Sequence, residues 1–315
     1  MTTDGSGLLI LRNSRSGTAV IRTDPAELFA ERLPAARVHE LNEGEDLADV
    51  VEAAFADGDA PTVLGVYGGD GSVSRMAGLA RQHGVPLLVM PGGTFNHFAR
   101  SAGLEDVETA VEAFLAEDTV EVSAMEVREN GADAVLVLNA ASVGAYPELI
   151  EERDKRRRRF GKWLGGIVAA WRTMRTAEPL VIVRDGRRAR VWSVFVGVGT
   201  NDPKRVATMQ RENLEDPVLD IRIHHARGTR LRAIASLAFG KRTAAVLRAV
   251  RLMPAERDVE RLLETGFEMI VRPGPGRPEV WVHDGELEEP HGEEFTLRFA
   301  VVPAALTVFA PRPGR

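Results

Sequence analysis

Two glycine-rich segments of this chain have the residue types and spacing to handle a phosphate: Gly68-Gly69-Asp70-Gly71-Ser72 and, one strand-helix unit later, Pro91-Gly92-Gly93-Thr94-Phe95-Asn96. Glycine permits positive φ and close approach of backbone to a ligand, and the amides at a helix start attract an anion. Ser72 and Thr94 add hydroxyls. Asp70 adds a carboxylate of the kind that holds a hard cation such as Mg2+ beside phosphate. An Asp in a glycine turn also makes an Asx-type hydrogen bond, so the first segment read alone supports either role. Its pairing with the second segment favours phosphate and metal chemistry.

The elements around these segments are what would position them. Thr62 to Tyr67 reads as a buried strand and Ser72 to Gln82 as a helix; Pro86 to Met90 reads as a strand, followed by a helix whose first residues include Thr94 and Asn96. Turns on neighbouring strands face one crevice at the strand C-terminal ends, where open α/β sheets bind ligands. Neither the P-loop pattern Gly-x-x-x-x-Gly-Lys-Ser/Thr nor a Gly-x-Gly-x-x-Gly after the first strand is present.

The N-terminal third alternates strand and helix: strand Leu8 to Leu11, helix Pro25 to Arg32, strand Ala36 to Glu40, helix Asp46 to Asp57, the two glycine units, then helix Asp106 to Ala116. That alternation predicts a parallel sheet covered by helices. Beyond Asp118 the pattern turns β-rich, with segments Val120 to Arg128, Ala134 to Ala140, Pro179 to Arg184 and Arg190 to Gly197, and an Asp185-Gly186 hairpin signal. The fold class is therefore α/β, a parallel-sheet domain that carries the two phosphate-type turns, joined to an antiparallel, sandwich-like β domain. Two helical stretches interrupt the second domain. Glu148 to Arg175 carries the run Arg156 to Arg159 and an apolar face with Trp163 and Trp171, and Leu231 to Arg251 mixes apolar and basic residues. A basic, Trp-bearing amphipathic helix suits a lipid interface, but the preferred reading lays its apolar face on the sheet with its basic face in water.

With 315 residues, 44% of them hydrophobic, the chain can bury one or two full cores. It has no cysteine, which excludes disulfides, thiolate metal sites and thiol nucleophiles. The start lacks a signal pattern, and the longest apolar-rich run, Trp163 to Trp171, is too short to span a bilayer, so a cytoplasmic protein is predicted. The net charge of −6 hides an asymmetry: residues 1–118 hold 8 basic and 19 acidic side chains, out of 40 and 46 in the whole chain, which leaves +5 on the remainder. A basic second domain suits contact with anionic headgroups, as it suits an ordinary solvated face. No nucleic-acid-binding module is recognisable.

At the residues quoted, the chain resembles the diacylglycerol kinase catalytic-domain family, which includes bacterial lipid kinases and the sphingosine and ceramide kinases. The resemblance rests on Asn13-Ser14-Arg15-Ser16-Gly17, Gly68-Gly69-Asp70-Gly71-Ser72, the run from Pro91 to Arg100, Asn139, Ser142-Val143-Gly144 and Asp284-Gly285-Glu286. Ser72 stands where the family usually has Thr, and His97 where many members have Asp.

The resemblance implies an ATP- and Mg2+-dependent lipid kinase whose domains are residues 1–118 with 296–315, for the nucleotide, and 119–295, for the lipid. Its nucleotide site would use Asn13, Ser16, Gly68, Gly69, Gly71, Ser72, Gly92, Gly93, Thr94 and Asn96, with Asp70 as a catalytic and metal-holding carboxylate. Asp284 would accept the proton of the lipid hydroxyl, with Glu286 as a second acidic group. The family's structural-metal loop, Asp-Gly-x-Leu-Asp, corresponds to Asp216-Pro217-Val218-Leu219-Asp220, which implies a metal at Asp216. Proline there removes a donor and fixes φ. The pair His224 and His225 reads as incidental, because neighbours on a strand point to opposite faces.

The implied partner is a lipid at a membrane surface, reached peripherally, and a homodimer is compatible with the sequence. Two other readings stay open: a small-molecule kinase of the NAD kinase or phosphofructokinase kind, which share a glycine-glycine-aspartate-glycine turn, and a catalytically silent nucleotide or lipid sensor.

Overall fold

The structure is a computed structural model that describes residues 4–13, 25–93, 95–144, 179–201, 211–226, 259–273, 280–290, 292 and 294–311. Ser16, Thr94, the run Arg156 to Arg159 and the helical stretches expected over Glu148 to Arg175 and Leu231 to Arg251 lie outside those residues. The chain divides into two compact units. One comprises Met1–Ala124, Glu212–Pro217 and Val302–Arg315; the other comprises Met125–Arg211 and Val218–Val301.

In the first unit the elements run β1 (Leu8–Asn13), α1 (Ala26–Arg32), β2 (Arg37–Leu41), α2 (Leu47–Ala56), β3 (Val63–Gly68), α3 (Asp70–His83), β4 (Leu87–Pro91), α4 (His97–Ser101) and α5 (Val107–Leu115), and then enter β5 (Thr119–Glu129). Strands β2, β1, β3 and β4 lie side by side in that order, all parallel, and Val308 pairs with Leu87 to continue the sheet. A parallel sheet with helices on its faces has no solvated side, so its strands read as continuous apolar runs. All six residues of β3 and all five of β4 are buried accordingly.

Capping explains the helix boundaries. Asp46 and Asp106 accept the amides of Ala48 and Thr109 at the starts of α2 and α5. Gly84 closes α3 in the left-handed conformation at φ +67. Phe114 of α5 meets Phe309 edge-on, with ring centroids 5.0 Å apart.

The second unit is antiparallel in every described strand pairing within it. It holds β6 (Val135–Val137), β7 (Ala140–Gly144), β8 (Leu180–Arg184), β9 (Arg187–Val198), β10 (Leu219–His225), β11 (Val259–Glu264), β12 (Gly266–Arg272), β13 (Trp281–His283), β14 (Glu286–Glu288) and the start of the final strand β15 (Phe295–Phe309), as far as Val301. The long strand β9 pairs with β7, β8 and β10; β10 pairs with β11, β13 joins β7 to β14, and β12 joins β8 to β15. The core is built from inward residues such as Val194, Val196, Ile221, Met269, Trp281 and Phe295. Asp185 and Gly186 take φ +49 and +72, the two positive angles of the tight turn their sequence predicts between β8 and β9.

The structure departs from the sequence reading at three places that matter for the site. Helix α3 starts at Asp70, two residues earlier than expected, with Gly69 as its N-cap. The helix after the second glycine turn does not include Asn96: it starts at His97, and Asn96 precedes it in the left-handed conformation at φ +50. The strand expected from Ala134 to Ala140 is broken between Val137 and Ala140, for a reason that lies in Asp284.

Candidate active site

Asn13, Gly68 and Pro91 end three adjacent parallel strands almost level with one another. Arg12 pairs with Tyr67, and Gly68 pairs with Pro91. The glycine turns therefore leave the sheet at the same edge, its C-terminal end.

In the first turn the helical ladder begins with Val73 N–H donating to Gly69 O at 3.0 Å. The amides of Gly71 and Ser72 lie ahead of that bond, outside the ladder, and Gly69 has no side chain to cap them. A fourteen-residue helix thus presents amides and the positive end of its dipole at the strand edge, with the Ser72 hydroxyl in its first turn. Asp70 opens the helix, and its Oδ1 accepts the Phe98 amide at 3.2 Å, so the carboxylate also anchors the start of α4.

The second turn is spent differently. Gly92 and Gly93 N–H both donate to Gly68 O, at 2.9 and 3.1 Å, and Gly93 N–H also reaches Asn96 Oδ1 at 2.9 Å. Asn96 Nδ2 returns a bond to Gly93 O at 3.0 Å. A Cβ on Gly93 would stand 2.5 Å from Gly69 Cα. The amides of Gly92 and Gly93 are thus engaged inside the protein, and these glycines contribute close backbone packing that locks the second turn onto the first. Asn96 braces the turn from within. Phe95 and His97 stack nearly parallel, 5° apart with centroids at 5.5 Å.

Asp284 and Gly285 form the tight turn between β13 and β14, at φ +45 and +92. The Asp284 side chain points inward and is 7% exposed. Its Oδ2 accepts Leu138 N–H at 2.6 Å, and its Oδ1 accepts Asn139 N–H at 2.8 Å and Ala140 N–H at 3.2 Å. These amides turn to the carboxylate instead of to a neighbouring strand, which is why β6 and β7 are separate strands. Glu286 is exposed. His283, buried beside the turn, contacts Glu288 at 3.1 Å.

Asp220, the last residue of the loop that the resemblance ties to a structural metal, is fully buried and lies between two arginines. Its oxygens accept Arg261 Nε and Nη2 at 2.8 and 2.9 Å, Arg222 Nη2 at 2.8 Å and the Asn201 amide at 3.2 Å. Burial alone would raise its pKa; the hydrogen bonds from Arg261 and Arg222 outweigh that and hold it below the ordinary carboxylate range. Among the described residues no three His, Asp or Glu side chains gather as a metal cluster.

His224 and His225 do face opposite ways. His224 is buried against Ser193, 3.0 Å from its Oγ, whereas His225 contacts Glu260 at 2.8 Å. Burial, then the nearby Arg222 and His225, push the His224 pKa down to about 4. Among the described residues no helix is long and apolar enough to cross a membrane.

Comparison with known proteins bears on the first unit above all. Residues 7–127 match the diacylglycerol kinase catalytic domain. A Pseudomonas aeruginosa PAO1 protein named probable lipid kinase YegS-like is 37% identical over 140 residues, 44% of this chain and 43% of that protein. A protein of the same name from P. aeruginosa UCBPP-PA14 is 40% identical over 100 residues, 31% of this chain and 32% of its own length. The matches thus span less than half of these relatives. A crystal structure of a diacylglycerol kinase from Bacillus anthracis str. Sterne superposes with a TM-score of 0.59 at 16% identity, over 99% of this chain and 98% of that one. Another structure from that organism reaches 0.64 at 18% identity over 100% of both chains. At these identities the likeness is one of fold.

Proposed function

Starting from the diacylglycerol kinase catalytic domain carried by residues 7–127, we infer that this protein transfers the γ-phosphoryl group of Mg·ATP to the hydroxyl of a lipid alcohol, with diacylglycerol as the reference acceptor. The observation that carries this reading is the start of α3: a glycine-capped helix N-terminus bearing Asp70, at the C-terminal edge of a parallel sheet. Bound Mg·ATP supplies a transferable phosphoryl group with part of its charge neutralised.

The chain's own residues do the rest. The amides of Gly71 and Ser72 and the Ser72 hydroxyl attract the phosphates, and Asp70 holds the Mg2+. Gly92, Gly93 and Asn96 fix the second turn, while Asn13, Ser16 and Thr94 are assigned to the nucleotide by resemblance. The hydroxyl proton needs a carboxylate able to reach substrate. Of the two in the Asp284-Gly285-Glu286 turn, Asp284 is buried under three backbone amides and Glu286 is exposed. We therefore assign proton acceptance to Glu286 and orientation of the turn to Asp284. The net positive charge of residues 119–315 suits peripheral docking on anionic lipid.

The test is mass spectrometry of a total lipid extract incubated with the protein and Mg·ATP, with NAD and fructose 6-phosphate as parallel acceptors. A lipid gaining one phosphate supports the reading; phosphorylation of NAD or the sugar phosphate in its place overturns it.

A further inference from the structure

The Asp216–Asp220 loop resembles a pattern that holds a structural divalent cation, yet the surroundings of Asp220 are already cationic. Strand alternation explains how. Asp220 and Arg222 are two residues apart on β10 and share a face, and Arg261 pairs directly with Arg222 on the neighbouring strand β11. Two guanidinium groups directly opposite each other repel unless an anion lies between them. Asp220 is that anion: Arg261 grips it as a fork through Nε and Nη2, and Arg222 closes from its own strand through Nη2. Arg222 also lies over the Phe195 ring, 6.0 Å from its centroid.

We propose that Arg222 and Arg261 neutralise Asp220 in place of a divalent cation, so that the fold of the second unit does not depend on bound metal. A hard cation requires oxygen ligands on its own side of the carboxylate and retains water in its shell. Here both Asp220 oxygens face N–H donors carrying positive charge, and a further cation at the same oxygens would meet two like charges. Arginine suits the replacement, because its planar fork matches a carboxylate and stays charged at any working pH. Pro217, where the pattern has glycine, supplies no amide and fixes φ, which departs from the metal loop in the same direction. The inference is independent of the acceptor and of the kinase reading.

Thermal unfolding of the full, nucleotide-free chain tests it. The wild-type midpoint is expected to agree within about 1 °C in excess EDTA, MgCl2 and CaCl2, since a ligand that binds only the folded state would raise it. Arg261→Gln, which leaves the buried carboxylate short of charge, is expected to lower the midpoint by about 5 °C or more. A wild-type midpoint that rises with Mg2+ or Ca2+ and loses that rise in Asp216→Asn overturns the proposal; a rise that survives Asp216→Asn belongs to another site and agrees with it. An unchanged Arg261→Gln melt also overturns it. Should Arg261→Gln not fold, the wild-type metal series decides the matter, supported by Mn2+ titration followed by electron paramagnetic resonance in wild type and Asp216→Asn.

Discussion

The Asp284 carboxylate lies 2.6 Å from the backbone amide of Leu138, a residue 146 positions earlier, and takes the next two amides as well. Read from sequence, Asp284→Asn is a conservative change whose effect reports chemistry alone. The geometry alters that expectation. Both oxygens accept amides, so whichever way an Asn side chain turns, its NH2 group faces an N–H donor. The variant is expected to lose about 1–3 kcal/mol of stability. Thermal denaturation checks this, and an unshifted midpoint would show that the three amides do not depend on the charge.

Glu286→Gln separates the two acidic residues. On an exposed turn it is expected to change stability by no more than about 0.5 kcal/mol. Phosphoryl transfer should fall by about 100-fold or more if Glu286 takes the proton. Turnover within a few-fold of wild type at saturating lipid and Mg·ATP, with chemistry rate-limiting, would return the role to Asp284.

At Asp70 the expected split is the opposite of that at Asp284. Asn retains an oxygen for the Phe98 amide, so Asp70→Asn should keep the melting midpoint while losing the charge that holds Mg2+. A fall in turnover of about 100-fold or more is expected, on the scale of removing one preorganised electrostatic group. Kinetics across a Mg2+ titration, with circular dichroism on the same samples, read both halves.

His224 predicts a pH effect on stability. With its folded pKa lowered to about 4 from 6.5, the buried ring stays neutral where the unfolded chain is protonated. Its contribution is complete above about pH 6.5 and is lost as pH falls toward 4, amounting to about 3 kcal/mol across that window. Denaturant unfolding at several pH values checks it: His224→Gln should be less sensitive to acid than wild type between those limits. Equal slopes in the two proteins would place the acid sensitivity elsewhere.

The local grammar of the chain was readable in advance. Apolar runs ending in glycine located β3 and β4, Asp46 and Asp106 marked helix starts, and Asp185-Gly186 announced its turn. What the sequence did not disclose depends on partners far along the chain. The break at Leu138 and Asn139 comes from Asp284, and the neutralisation of Asp220 comes half from Arg222, within reach of strand alternation, and half from Arg261, which no short-range pattern connects to it. Likewise, nothing local says that the Gly92 and Gly93 amides are consumed by Gly68 O, since that bond joins two turns separated by a whole helix and strand.

That last feature limits how this site can diversify over evolutionary time. With a Cβ on Gly93 brought 2.5 Å from Gly69 Cα, one on Gly92 brought 3.0 Å from Gly68 N, and both amides hung on one carbonyl, the second turn cannot acquire a side chain without unseating the first. New preferences in descendants of this chain must therefore arise at neighbours that already carry side chains, such as Ser72 and His97, while Gly92 and Gly93 are inherited unchanged.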